Sequence, residues 1–158
     1  MTRSLSGVGP MAVAVLLLSA SPTFAADNWL GTWKLDVAKS KYSPGPAPKS
    51  QTLTFASSQG SIRLTSDSVD AQGKTIKGGY TSKFDGQDVP WVGNQDADIA
   101  SPKRIDDNTY ENHWKKGGKP TITSRGTVSR DGKMLTIVQT GKDAQGRTVN
   151  TTGVYEKQ

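Results

Sequence analysis

The hydrophobic and polar positions of this chain alternate two by two for most of its length. In Asn28 to Val37 the side chains of Gly31, Trp33 and Leu35 fall on one face and those of Thr32, Lys34 and Asp36 on the other. Period two is the mark of a strand with one buried face. The next stretch, residues 38–48, carries Pro44, Pro46 and Pro48 at alternate positions. Prolines so spaced exclude a helix and predict an extended strap lying over one end of the domain. From Lys49 onward, short runs rich in Thr, Val, Ile and Tyr alternate with turn clusters. Strands are predicted near residues 49–56, 60–66, 74–84, 88–92, 98–105, 109–116, 119–130, 134–141 and 147–156. Strands at this spacing, with no run of helical period, predict an all-β domain: a single antiparallel meander β-barrel of about 8–10 strands. Pro90 falls in the shortest of these runs and is expected at an edge or bulge, because it cannot donate to a ladder.

The turns are explicit. Asp85-Gly86, Asp106-Asp107-Asn108, Gly117-Gly118 and Asp131-Gly132 supply residues that tolerate positive φ or form Asx turns. One turn occurs twice, as Asp70-Ala71-Gln72-Gly73-Lys74 and Asp143-Ala144-Gln145-Gly146-Arg147. Its spacing predicts a type I turn followed by a left-handed glycine. The flanking strands do not repeat, so the two copies reflect a common hairpin chemistry and not a duplication.

With charged residues placed outward, the inward apolar set is Leu53, Phe55, Ile62, Leu64, Ile76, Tyr80, Phe84, Ile99, Ile105, Tyr110, Trp114, Ile122, Val128, Val149 and Tyr155. On the same faces lie Gly78, Ser82, Ser101, Asn112, Ser124, Gly126, Thr151 and Gly153. So many small and polar groups do not fill a barrel solidly. Either a cavity occupies the centre, or the barrel is flattened until opposite walls touch. Large aromatics at strand period serve a core as readily as a ligand site. The candidate ligand-binding residues are Tyr80, Trp91, Tyr110, Trp114 and Tyr155. Trp91 stands apart in a loop-like stretch, where it either gates a portal or caps the barrel end.

The first residues look like an export leader: Arg3, an apolar run from Met11 to Leu18, and small residues Thr23 and Ala25 at a cleavage site. The run is far shorter than the roughly 20 residues a membrane-spanning helix needs. Residues 1–25 are therefore expected to be a signal peptide and residues 26–158 a single barrel domain, periplasmic or secreted, with no stable membrane insertion. The chain has no cysteine, so its stability rests on core burial and sheet hydrogen bonds. Its formal net charge of +6 comes from basic residues scattered one per strand or loop, which argues against nucleic acid as a partner.

The opener Trp29-Leu30-Gly31-Thr32-Trp33-Lys34-Leu35, together with the terminal Val154-Tyr155-Glu156-Lys157, resembles the two ends of the calycin superfamily. The likeness is to lipocalins and especially to fatty-acid-binding proteins, which begin on a G-T-W-K-L strand and end on a Y-E-K strand. It implies a barrel closed by pairing of the first and last strands, with an apolar or amphipathic ligand inside. Trp33 is then a plug in the barrel base. The match departs where those proteins place a carboxylate-holding arginine two residues before the tyrosine: Gly153 stands there. The proline strap also replaces their helical lid.

Catalytic chemistry is poorly supplied: no nucleophile elbow, no phosphate loop, and one histidine. His113 falls on the outward face, and only a reversed register would turn Glu111 and His113 inward as an acid/base pair. Asp88, Asn94, Asp96 and Asp98 form the densest oxygen cluster but lack a calcium-loop pattern. No cofactor and no metal are expected. The sequence therefore points to an exported protein holding a small hydrophobic or amphipathic molecule. The alternative is an envelope protein-interaction module or inhibitor without a cavity.

Overall fold

The computed structural model describes residues 27–158, so the predicted leader lies outside the described residues. Ten strands follow in order: β1 (Gly31–Leu35), β2 (Ser50–Ser58), β3 (Ser61–Val69), β4 (Thr75–Ser82), β5 (Val89–Pro90), β6 (Ile99–Arg104), β7 (Thr109–Lys116), β8 (Lys119–Val128), β9 (Met134–Lys142) and β10 (Thr148–Lys157). They form one antiparallel sheet in the order β4-β3-β2-β1-β10-β9-β8-β7-β6-β5. Every neighbour but one is also a sequence neighbour. The exception is β1 beside β10, with Leu35 opposite Tyr155 and Trp33 opposite Lys157.

The two edges of this sheet meet, which makes a nearly closed barrel. Gly79 and Val92 exchange backbone hydrogen bonds of 2.9 and 3.1 Å, and Phe84 O accepts from Arg104 N at 2.8 Å. The first contact needs bare backbone: a Cβ on Gly78 would stand 2.5 Å from Val92 O, and one on Gly93 would stand 2.0 Å from Lys77 O. Pro90 sits in the two-residue edge strand, where its missing donor costs nothing.

A meander places alternate turns at opposite ends. One end is packed solid. Trp29 and Trp33 are fully buried there with Phe55, Phe84, Tyr110, Val128 and Leu135. Trp33 Nε1 donates to Trp29 O at 2.7 Å, and the ring of Trp29 meets Phe84 and Tyr110 at centroid distances of 6.1 and 5.7 Å. The expected plug is thus a cluster of aromatics, and Lys157 lays its ammonium 5.1 Å from the Trp33 ring centre. The inward glycines are not voids here. The Tyr110 ring lies over Gly126, where a Cβ would be 2.3 Å from the ring, and the Tyr155 ring lies over Gly153.

One strand faces the other way from expectation. Ala100 lies opposite Trp114 and Pro102 opposite Asn112, so Ala100 and Pro102 point inward with them. Ile99 and Ser101 share the outer face with Lys115 and His113, and Ile105 is 44% exposed. Ser101 is nonetheless buried, because Asp88 folds over it and accepts from its hydroxyl at 2.5 Å. The inner wall opposite Trp114 and Asn112 is thus made by Ala100 and Pro102, both buried, while Ile99 is only half-buried.

Candidate functional site

Above the plug the barrel is hollow. A cavity of about 360 Å³ opens among the hairpin tips at the end away from Trp33, and a narrower recess of about 100 Å³ leads from it toward the plug. The two share Gln51, Ser66, Trp91, Asn94, Trp114, Ile137, Gln139 and Tyr155 in their walls, so they form one continuous space. Both alternatives read from the inward faces are thus realised in one molecule, a filled half and an empty half.

Each candidate residue reaches this space. Trp91, Trp114 and Tyr155 line the main cavity, while Tyr80 and Tyr110 line the recess. Tyr110 belongs more to the floor, since it also packs against Phe55 and Phe84 at centroid distances of 5.5 and 5.8 Å. Trp91 is neither gate nor end cap. It stands in the wall, edge-on to Tyr80 at 5.0 Å and to Trp114 at 4.7 Å, and joins the plug cluster to the upper cluster of Ala97, Trp114, Ile122 and Val149. Its backbone N–H donates to Asp98 O at 2.8 Å, which holds the segment after β5 against β6.

The mouth is built from three fixed pieces. The strap runs alongside β10 where β1 has ended: Lys41 and Thr152 exchange bonds of 2.8 Å, and Asn150 N donates to Ser43 O at 2.7 Å. β1 stops because Asp36 caps the next turn, its carboxylate accepting from Lys39 N at 3.1 Å and its carbonyl from Ser40 Oγ at 2.6 Å. Pro44 and Pro48 of the strap then line the cavity, as expected of a strap over one end. The second piece is the β9–β10 turn, where Asp143 accepts from the backbone of Gln145 and Arg147 at 3.0 and 2.8 Å, and Gly146 takes φ +80°. Its counterpart at Asp70 has Gly73 at φ +93°, so the repeated sequence forms the same left-handed glycine turn twice. The third piece is the loop after β5, clamped to that turn by Ala144 N donating to Asp96 Oδ1 at 3.0 Å.

Charge at the site is confined to this rim. Arg147 Nε lies 2.6 Å from Asp143 Oδ2, and Asp143 is buried. Burial raises the Asp143 carboxyl, but the backbone N–H and guanidinium of Arg147 outweigh it and hold the group below the usual aspartate value. Inside, the ionisable side chains are phenols. Burial pushes Tyr80 and Tyr155 well above the ordinary tyrosine value, and Tyr42 more modestly. Tyr155 donates to Gln51 Oε1 at 2.7 Å, and Gln51 Nε2 in turn to Ser66 Oγ at 3.1 Å.

Several lining residues were not singled out from the sequence. Gln51, Ser66 and Gln139 come from strands whose apolar positions dominate their alternation. For Gln139 a signal existed, since Leu135, Ile137 and Gln139 share a parity and the first two are buried core. The sequence marks Asn94 and Asp96 only as part of an oxygen cluster, and the strap residue Tyr42 not at all, because no periodicity assigns a face in a loop.

The other candidates lie elsewhere. His113 is exposed on the outer wall, with Nε2 3.1 Å from Glu111 Oε1 and Nδ1 3.2 Å from Thr123 Oγ1. Asn112 and Trp114 point inward between them, so the reversed register does not occur. The acidic cluster is consumed by protein donors: Asp88 by Lys115 at 2.6 Å, Asp98 by Gly117 N at 3.0 Å, and Asp96 by the clamp above. Among the described residues, no three acidic, histidine or cysteine side chains gather closely enough to hold a metal.

No family model matches the chain, and no curated protein matches it. Its likeness to known proteins is one of shape. A protein of unknown function from the DUF3598 family of Nostoc punctiforme aligns over 83% of this chain with a TM-score of 0.50 and 17% identity. The chain spans only 48% of that protein's length. A de novo designed fluorescence-activating β-barrel aligns over 85% of this chain and 97% of its own, at 15% identity and a TM-score of 0.45. EF1p2_mFAP2b, in a structure with DFHBI bound, aligns over 83% of this chain and 94% of its own, at 13% identity and a TM-score of 0.45. At 17% identity the likeness to the Nostoc protein is one of barrel fold.

Proposed function

We propose that this protein is an exported small-molecule binding barrel of calycin type, which takes one amphipathic molecule into the upper cavity. The observation that carries this reading is the cavity itself. At about 360 Å³, continuous with a further recess, it falls in the size range of sites that enclose a small ligand. Its walls combine the broad apolar faces of Trp91, Trp114, Ile122 and Val149 with the polar groups of Gln51, Ser66 and Gln139. A purely apolar molecule would cut the Gln139 amide on this wall off from water without replacing its hydrogen bonds, so an amphipathic one fits better.

The calycin likeness of the sequence ends agrees with the observed β1–β10 pairing. Export by the leader at residues 1–25, and residence in a periplasm or outside the cell, belong to the same proposal. The plug and the clamped mouth suit a binding protein, since a rigid, preformed cavity reduces the ordering cost of binding.

Titration of the purified mature protein with a hydrophobic dye and a panel of lipids, followed by tryptophan fluorescence, tests the reading. A saturable response that Trp114→Ala weakens supports it. A response that never saturates, or one that Trp114→Ala leaves untouched, counts against it.

A further inference from the structure

A row of polar side chains crosses the inner wall between plug and mouth. Asn112 of β7 lies opposite Ser124 of β8, Ser124 opposite Gln139 of β9, and Gln139 opposite Thr151 of β10. Directly opposed side chains on one face stand about 5 Å apart, so the four make a continuous belt. One step toward the plug, the same face carries Tyr110, Gly126, Ile137 and Gly153. One step toward the mouth it carries Trp114, Ile122 and Val149. The belt is therefore a polar layer between an aromatic floor and an apolar collar. Across the lumen the opposite wall is polar as well, where Tyr80 Oη accepts from Asn112 Nδ2 at 3.4 Å and Gln51 bonds Ser66.

The belt and the collar above it carry polar groups within reach of a ligand. Ser124 is 4% exposed and lines the recess, Gln139 beside it is half-buried on the same wall, and one step toward the mouth Trp114 Nε1 is a buried N–H with no hydrogen-bond partner among the described residues. A ligand that displaces water from these polar groups must supply hydrogen bonds of its own, or leave them unpaired at a cost. The belt also holds no charge. Among the described residues, no Lys, Arg, His, Asp or Glu lines the recess, and its titratable groups are Tyr80, Tyr110 and Tyr155, which burial keeps in the neutral form. Arg147, the one cation on the cavity wall among the described residues, is at the rim and engaged by Asp143.

We infer that the cavity selects a molecule whose buried end is a neutral hydrogen-bonding head, such as a carbonyl, amide or hydroxyl, and whose body is an aromatic or alicyclic ring system. The head meets Ser124 and Gln139, and the body lies along Trp91, Trp114, Ile122 and Val149. A carboxylate head would bring an uncompensated charge into the recess and is rejected. This inference rests on the small-molecule reading above and narrows it.

Calorimetric titration of the full protein with a matched pair, 2-naphthamide and 2-naphthoate, tests it. The two share a ring body and differ in the charge of the head. The amide is expected to bind about tenfold or more tightly than the carboxylate at pH 7, because the carboxylate must be desolvated without a cation. The gap should narrow as the pH falls through the titration of the naphthoate itself. Ser124→Ala and Gln139→Leu should each weaken the amide several-fold while leaving the naphthoate unchanged. Equal affinities for the pair, or tighter binding of the naphthoate, overturn the selectivity while the binding reading stands. Binding of neither probe overturns both. The wild-type comparison decides the matter even where a variant fails to fold.

Discussion

At the scale of single residues, the two ends of the barrel treat the same residue type differently. Trp33 is fully buried, donates to Trp29 O at 2.7 Å and has packed neighbours on every side. Trp114 has a cavity along one side. Removing a packed tryptophan leaves a void that the surroundings cannot close, so Trp33→Ala should cost about 3–5 kcal/mol in urea unfolding. Trp114→Ala enlarges a space that is already polar and open to water, so it should cost less, by roughly 1 kcal/mol or more, while impairing ligand binding. Gly126 is a space constraint: Gly126→Val would drive a side chain into the Tyr110 ring and should destabilise by about 1–3 kcal/mol through overpacking of the floor. Asp143 makes stability depend on pH. Its folded value is lowered, so its contribution is complete above the unfolded value of about 4 and is lost as pH falls through the folded one. Asp143→Asn should therefore unfold at a lower temperature than the wild type at pH 7, and the difference should fade in thermal scans below about pH 4.

At the scale of elements, the seam between β4 and β5 is the weakest join. Two backbone hydrogen bonds between Gly79 and Val92 close it there, against a ladder of nine residue pairs between β9 and β10. Gly93→Ala places a Cβ 2.0 Å from Lys77 O on a backbone of φ +75°, so it should open the seam. Hydrogen exchange should then accelerate at Gly79 and Val92 while β9 and β10 keep their protection. Most strands were legible because alternation, turn residues and charge agree, as in β7, where residues 109–116 are matched at both ends. β6 was not legible in its facing. Ile99-Ala100-Ser101-Pro102 has no clear alternation, and its inward residues are Ala100 and Pro102 in place of the more apolar Ile99. Its facing follows from its register with β7, and Ser101 is buried from outside by Asp88; neither is visible in a local pattern. The aromatic part of the site was legible for the converse reason: Tyr80, Trp114 and Tyr155 are large and lie on strands of clear parity. The polar part was not, because Gln51, Ser66 and Gln139 read as ordinary strand polar residues until the barrel is closed around them.

At the scale of the whole molecule, the barrel divides into a plugged half, packed solid, and a hollow half, to which the proposed binding is assigned. The two halves meet at the belt of Asn112, Ser124, Gln139 and Thr151. The four tryptophans divide in the same way, with Trp29 and Trp33 in the plug and Trp91 and Trp114 on the cavity wall. Their indole N–H groups are four internal reporters of where a ligand sits. The most direct test follows these resonances by nuclear magnetic resonance during titration with a neutral amphipathic ring compound such as 2-naphthamide. Saturable shifts of the Trp91 and Trp114 indoles, with those of Trp29 and Trp33 unmoved, are the predicted result. No saturable shift, or an equal shift of all four, would contradict the division of the barrel into plug and binding cavity.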